Sequence, residues 1–146
     1  MARAQSVTRP LNWVTGQIVD AAMRVHSSVG PGLLESAYQA CLAYELIKRG
    51  VVVGVQVPMP LRYGGIVLEL AYRADLLVDG RVIVEIKATA ALLPVHRAQL
   101  LSYLRASALP VGLLINFHAL HLRDGIVRIA NEIGTGSEVQ SSAHSQ

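Results

Sequence analysis

Apolar residues at Leu11, Val14, Ile18, Ala21, Ala22, Val25 and Val29 recur every three or four positions, which predicts an amphipathic helix over residues 11 to 28. Pro10 suits its first turn, and Gly30-Pro31-Gly32 breaks it. A second helix is expected from about Leu33 to Arg49, with Leu34, Tyr38, Cys41, Leu42 and Leu46 near one face. Gly50 is a fitting stop, since Lys48 and Arg49 before it favour the negative end of the helix dipole. The pattern then changes from helical spacing to β-branched runs. Strands are expected over 51 to 61, 66 to 78 (bent midway) and 81 to 88, separated by turn signals at Gly64-Gly65 and Asp79-Gly80. Pro58 and Pro60 mark the first as an edge strand. Helical spacing returns over 94 to 108, followed by a nearly unbroken apolar strand at 111 to 117, as expected of a strand covered on both faces. A last short strand or turn occupies 120 to 129. The order helix, helix, three strands, helix, two strands predicts an α/β sandwich around a small mixed sheet, the helix at 94 to 108 permitting a parallel return.

Bulk properties narrow this picture only a little. The 146 residues fit one domain, expected over 1 to 133, and 134 to 146 turn to Gly, Ser, Gln and Thr, which predicts a disordered tail. The chain is 52% hydrophobic, with a mean hydropathy of +0.41. Even so, no apolar run reaches the roughly 18 to 20 residues of a membrane span. The N-terminus lacks a signal-peptide core, so a cytoplasmic location is expected. One cysteine, Cys41, cannot form an internal disulfide and reads as core packing. A net charge of +3 leans mildly toward an acidic partner such as nucleic acid.

The chemistry concentrates in residues 75 to 87, Asp-Leu-Leu-Val-Asp-Gly-Arg-Val-Ile-Val-Glu-Ile-Lys. Strand alternation sends Glu85 and Lys87 to one face and Val84 and Ile86 to the other. A hairpin at Asp79-Gly80 folds Asp75 back beside them. Buried charges need partners or a metal, and this cluster points to metal-dependent cleavage of phosphodiester bonds. Read alone, Asp75 could equally cap a turn, and Glu85 with Lys87 could be a solvated pair. Elsewhere, Glu35 falls in the first turn of the second helix with Tyr38 on nearly the same side. Gln99 and Tyr103 share a face of the third. Tyr38 and Tyr103 also read as core aromatics with satisfied hydroxyls.

Taken together, these residues resemble the GxxExxY proteins, a group within the PD-(D/E)xK nuclease superfamily, which has the restriction-endonuclease-like fold. The resemblance runs from about His26 to Asn131. It rests on Gly-Pro-Gly-Leu-Leu-Glu-Ser-Ala-Tyr (30 to 38), Tyr-Arg-Ala-Asp-Leu-Leu-Val (72 to 78), Val-Ile-Val-Glu-Ile-Lys-Ala (82 to 88), His-Arg-Ala-Gln-Leu-Leu-Ser-Tyr-Leu (96 to 104) and Gly-Leu-Leu-Ile-Asn-Phe (112 to 117). It implies a three-layer α/β/α sandwich and a Mg²⁺- or Mn²⁺-dependent nuclease acting on DNA in preference to RNA. A homodimer is compatible with it. Asp75 and Glu85 would be metal ligands, joined by the backbone carbonyl of Ile86 and by Glu35, directly or through water. Lys87 would sit beside the attacking water. Gln99 and Tyr103 resemble a Gln-x-x-x-Tyr element that supports the lysine and the substrate, and Tyr38 would support the site. The alternative is a nuclease fold without useful turnover, serving as a nucleic-acid-binding or regulatory module. Two stretches depart from the family's usual look, Ala88-Thr89-Ala90-Ala91 and Phe117-His118-Ala119-Leu120-His121.

Overall fold

A computed structural model describes residues 8–132, so the expected tail at 134 to 146 lies outside the described residues. Two helices, α1 (Leu11–Val29) and α2 (Glu35–Lys48), precede three strands, β1 (Val53–Tyr63), β2 (Ile66–Val78) and β3 (Val82–Lys87). Helix α3 (Pro94–Ser107) leads to β4 (Val111–Asn116), a short 3₁₀ turn (Leu122–Gly125) and β5 (Ile126–Ala130). The five strands lie in the order β1-β2-β3-β4-β5. Only β3 and β4 run parallel, and α3 is the connection that such a pairing requires. Helices α1 and α2 cover one face through Val14, Ile18, Leu42 and Leu46 against Val82, Val84, Ile86 and Leu113. On the other face α3 presents Leu100 and Leu104 to Ile83 and Leu114. The expected α/β/α sandwich is the observed architecture.

Each predicted element appears with its ends within two residues, and the last segment, expected over 120 to 129, divides into the 3₁₀ turn Leu122–Gly125 and β5. Strand β4 is buried at all six positions. Pro58 and Pro60 lie on β1, which is indeed an edge. The two glycines of the β4–β5 region serve close packing. A Cβ on Gly125 would lie 2.5 Å from the Asn116 carbonyl oxygen, and one on Gly112 would lie 3.0 Å from Leu100. Cys41 is half-buried and packs against the α1/α2 core, beside a cavity of about 300 Å³ between those helices.

Strand β2 is the irregular element, as its expected bend implies. Its last three residues pair with β3, as Leu76↔Val84, Leu77↔Ile83 and Val78↔Val82. Its pairing with β1 extends over both strands, with a register shift between Met59 and Leu61. Beyond Asp75, then, β1 and β2 continue as a two-stranded arm, on which Tyr63, Ile66, Leu68 and Leu70 are exposed. The alternation of faces slips at the same place. Ala74 belongs to the α3-side core and Leu76 to the α1/α2-side core. Asp75 stands at that junction.

Candidate active site

Strand pairing stops at Leu76 and Val84, leaving the next inward backbone donor of β3, the Ile86 N–H, without a strand partner. The Asp75 carboxylate takes its place, accepting from Ile86 N at 2.8 Å through Oδ2. Asp75 therefore sits against β3 by replacing a ladder bond with a side chain. Its other oxygen, Oδ1, accepts from Gln56 Nε2 at 3.2 Å, and Gln56 Nε2 also donates to Gln39 Oε1 on α2 at 2.6 Å.

Glu85 projects from β3 to the α3 side, opposite in sense to Val84 and Ile86, as alternation requires. Its Oε2 accepts from the Tyr72 hydroxyl, and from the Asp75 backbone N–H at 3.4 Å. The Tyr72 ring stacks on Tyr103 of α3, with centroids 3.3 Å apart. The two acids are thus braced from opposite sides, Asp75 by amides reaching to α2 and Glu85 by an aromatic pair reaching to α3.

The electrostatics follow from burial. Glu85 is pushed up to about 7, first by desolvation and then by the negative charge of Asp75, against the opposing pull of the Tyr72 hydroxyl, the Asp75 N–H and the Lys87 ammonium. Asp75 is also raised, chiefly by desolvation and to a lesser degree by Glu35. Its bonds from Ile86 and Gln56 and the charge of Lys87 oppose this. Burial and the neighbouring Glu85 carboxylate raise the Tyr72 phenol as well, so it stays a hydrogen-bond donor. One ammonium partly compensates two close, desolvated carboxylates. The surplus negative charge calls for a proton or a cation.

Glu35 opens α2 and its Oε2 accepts from Ala88 N at 3.1 Å, placing it at the end of β3, one residue past Lys87. Among the described residues no three His, Cys, Asp or Glu side chains come close enough to hold an ion together. Glu35 is near enough to act on Asp75 through its charge, but it is tied to the Ala88 backbone and not gathered with the two acids. An all-oxygen set of two carboxylates suits a hard divalent ion that completes its shell with carbonyl oxygen and water, the usual arrangement for Mg²⁺.

The remaining expected residues divide. Tyr103 reaches the site only through Tyr72. Gln99 is exposed on α3, and none of the bonds that fix the two acids involves it. Tyr38 is wholly buried and stacked on Phe117 at 4.4 Å. Its hydroxyl accepts from Gly32 N and Leu33 N and donates to the Gly30 carbonyl. Tyr38 thus shapes the loop that leads to Glu35 without touching the acids. Gln39, Gln56 and Tyr72 were not singled out from the sequence. Strand alternation would have put Tyr72 with Leu76 and Val78, away from Glu85, and only the slip at Asp75 brings it to the Glu85 side of the sheet. The two glutamines carry no periodic signal.

The comparisons agree with this geometry. Residues 12–129 match the PD-(D/E)XK nuclease superfamily. The chain belongs to that superfamily, and its sandwich is consistent with the restriction-endonuclease-like fold. Neither the curated proteins nor the solved structures contain a match.

Proposed function

We propose that this protein is a divalent-metal-dependent nuclease that hydrolyses phosphodiester bonds, with DNA as the preferred substrate, and that it belongs to the GxxExxY group. The observation that carries the reading is the pair of carboxylates held together where β2 and β3 part, Asp75 on the Ile86 N–H and Glu85 on the Asp75 N–H and the Tyr72 hydroxyl, with Lys87 two residues beyond Glu85 on β3. Lys87 acts on both acids through its charge and is in no ion pair with either among the described residues, so a structural salt bridge does not account for them.

Asp75 and Glu85, with the backbone carbonyl of Ile86, would hold Mg²⁺ or Mn²⁺, and Glu35 would act through water. When bound, the ion supplies Lewis acidity and acidifies a coordinated water. Lys87 stabilises negative charge on the scissile phosphate and orients the nucleophile. Tyr72 keeps Glu85 turned toward Asp75 through its hydroxyl, and Tyr103 keeps Tyr72 in plane by stacking. Gln99 is assigned to the substrate side, consistent with its exposure one turn before Tyr103. Tyr38 supports the site by fixing the entry to α2.

The reading includes a cytoplasmic setting, which suits the single Cys41. It also includes a homodimer, for which the exposed apolar side chains of the β1–β2 arm are the candidate contact. No helix among the described residues is long and apolar enough to cross a membrane.

The test is incubation of purified protein with plasmid DNA and with RNA, in Mg²⁺ or Mn²⁺, alongside Asp75→Ala and Lys87→Ala. Cleavage lost in both folded variants supports the assignment, and equal cutting by them refutes it. That only two acids converge among the described residues favours a second reading, a nucleic-acid-binding module with little turnover. That reading requires binding that is insensitive to Asp75→Ala and independent of metal.

A further inference from the structure

Among the described residues, three other than glycine adopt a left-handed backbone: Gln56 at φ 52°, Asp79 at 56° and Ala108 at 56°. Asp79 sits in the β2–β3 turn before Gly80, and Ala108 ends α3, where such a conformation commonly closes a helix. Gln56 has no such excuse. It lies inside β1, where an L residue is ordinarily extended, and glutamine is not a residue favoured for that region. Its left-handed conformation falls where β1 and β2 both switch faces, Val53 packing with the α1/α2-side core and Val57 with the α3-side core, and this kink turns the Gln56 side chain to Asp75.

The flanking pairs Val55↔Leu76 and Val57↔Ala74 place Gln56 directly opposite Asp75. Its Nε2 donates to Asp75 Oδ1 and to Gln39 Oε1. An ionised carboxylate only accepts, which fixes the amide's orientation and obliges Gln39 to present its oxygen. Gln39 lies one helical turn beyond Glu35, so the same face of α2 braces Asp75 through Gln56 and the end of β3 through Glu35.

We propose that Gln56 is a positioning residue for Asp75, its strained backbone aiming an amide that fixes Oδ1 while the Ile86 N–H fixes Oδ2, with Gln39 setting the orientation of that amide. The carboxylate is then held at both oxygens, and its remaining lone pairs have a fixed direction for a cation. This inference rests on the nuclease reading above and names residues that reading does not use.

Gln56→Gly separates the two roles open to this residue. Glycine relaxes the left-handed backbone and deletes the amide. A residue kept for folding would lose thermal stability on this change. A positioning residue keeps its Tm, or gains in it, while Mn²⁺ affinity measured by calorimetry falls about 10- to 100-fold and the cleavage rate falls with it. Gln56→Asn tolerates the backbone but is one methylene short, and Gln39→Leu removes only the orienting acceptor. Both should weaken Mn²⁺ binding in the same direction, and they carry the test should Gln56→Gly not fold. Wild-type affinity and rate in the variants overturn the assignment of Gln56 alone. A wild-type protein that neither binds Mn²⁺ nor cuts nucleic acid overturns the nuclease reading, and this inference with it.

Discussion

Asp75 accepts the backbone N–H of Ile86 while Glu85, the residue before it, accepts the backbone N–H of Asp75. Each acid is therefore anchored to the other's strand. The reciprocal bonds hold two carboxylates close where β2 and β3 part, and they explain why desolvation does not drive the side chains out to water. Both acids stay, and both carry the electrostatic cost.

That cost gives a pH dependence of defined sign. Glu85 has a folded value near 7 against an ordinary 4.5, so the folded protein binds a proton more tightly than the unfolded chain between those values. Stability of the metal-free protein should therefore be greatest below about pH 4.5, as far as this group is concerned, and fall as pH rises through 7. The loss is on the order of 3 kcal/mol. Denaturant titrations at pH 5 and pH 8 measure it. Added Mg²⁺ should restore the difference at pH 8, and Glu85→Gln should abolish it.

The same ionisation governs activity. Cleavage should rise with pH through about 7 as Glu85 loses its proton. Tyr72→Phe removes a bond that favours the charged carboxylate, so its activity profile should move to higher pH. A pH–rate profile at fixed metal concentration reads this directly. A profile unchanged in Tyr72→Phe would deny the phenol any hold on Glu85.

Tyr38→Phe keeps the ring on Phe117 but strips the hydroxyl that serves Gly30, Gly32 and Leu33. We expect a loss on the order of 1 to 2 kcal/mol, measured by chemical denaturation. Activity should fall through displacement of Glu35, whereas substitution of exposed Tyr44 on the same helix should leave it unchanged.

Gly125→Ala should destabilise by about 1 to 3 kcal/mol, because the new methyl meets the Asn116 carbonyl oxygen at 2.5 Å. That backbone cannot readily yield. The Asn116 side chain is clamped to Thr89, accepting its N–H at 3.1 Å and donating to its carbonyl at 2.9 Å. Thermal unfolding of the single variant is a sufficient check.

Local patterning carried most of the fold. The spacing of Val14, Ile18, Ala21 and Val25 fixes which side of α1 is buried, and the unbroken run of β4 fixes its central place. Alternation along β3 correctly separated Glu85 and Lys87 from Val84 and Ile86. What alternation could not reach was Asp75, whose strand slips between faces and whose carboxylate replaces a ladder bond. Gln39 and Gln56 were illegible for a related reason. They meet across 17 residues of chain, and neither a strand period nor a helix period marks a glutamine that bonds to a distant one. Glu35 was found by its position at a helix start, but its partner, the Ala88 N–H, is visible only once α2 lies over the end of β3.

The outer end of the ribbon formed by β1 and β2 offers an experimental handle. Its tip, Gly64-Gly65, is solvent-exposed and belongs to neither hydrophobic core, so a fluorophore or short peptide inserted there should leave both cores intact. Tyr72, in contact with Glu85, lies on one of the two strands that carry this tip. A dye at Gly65 would sit in the turn just before β2, the strand that carries Tyr72, and would alter no group of the site.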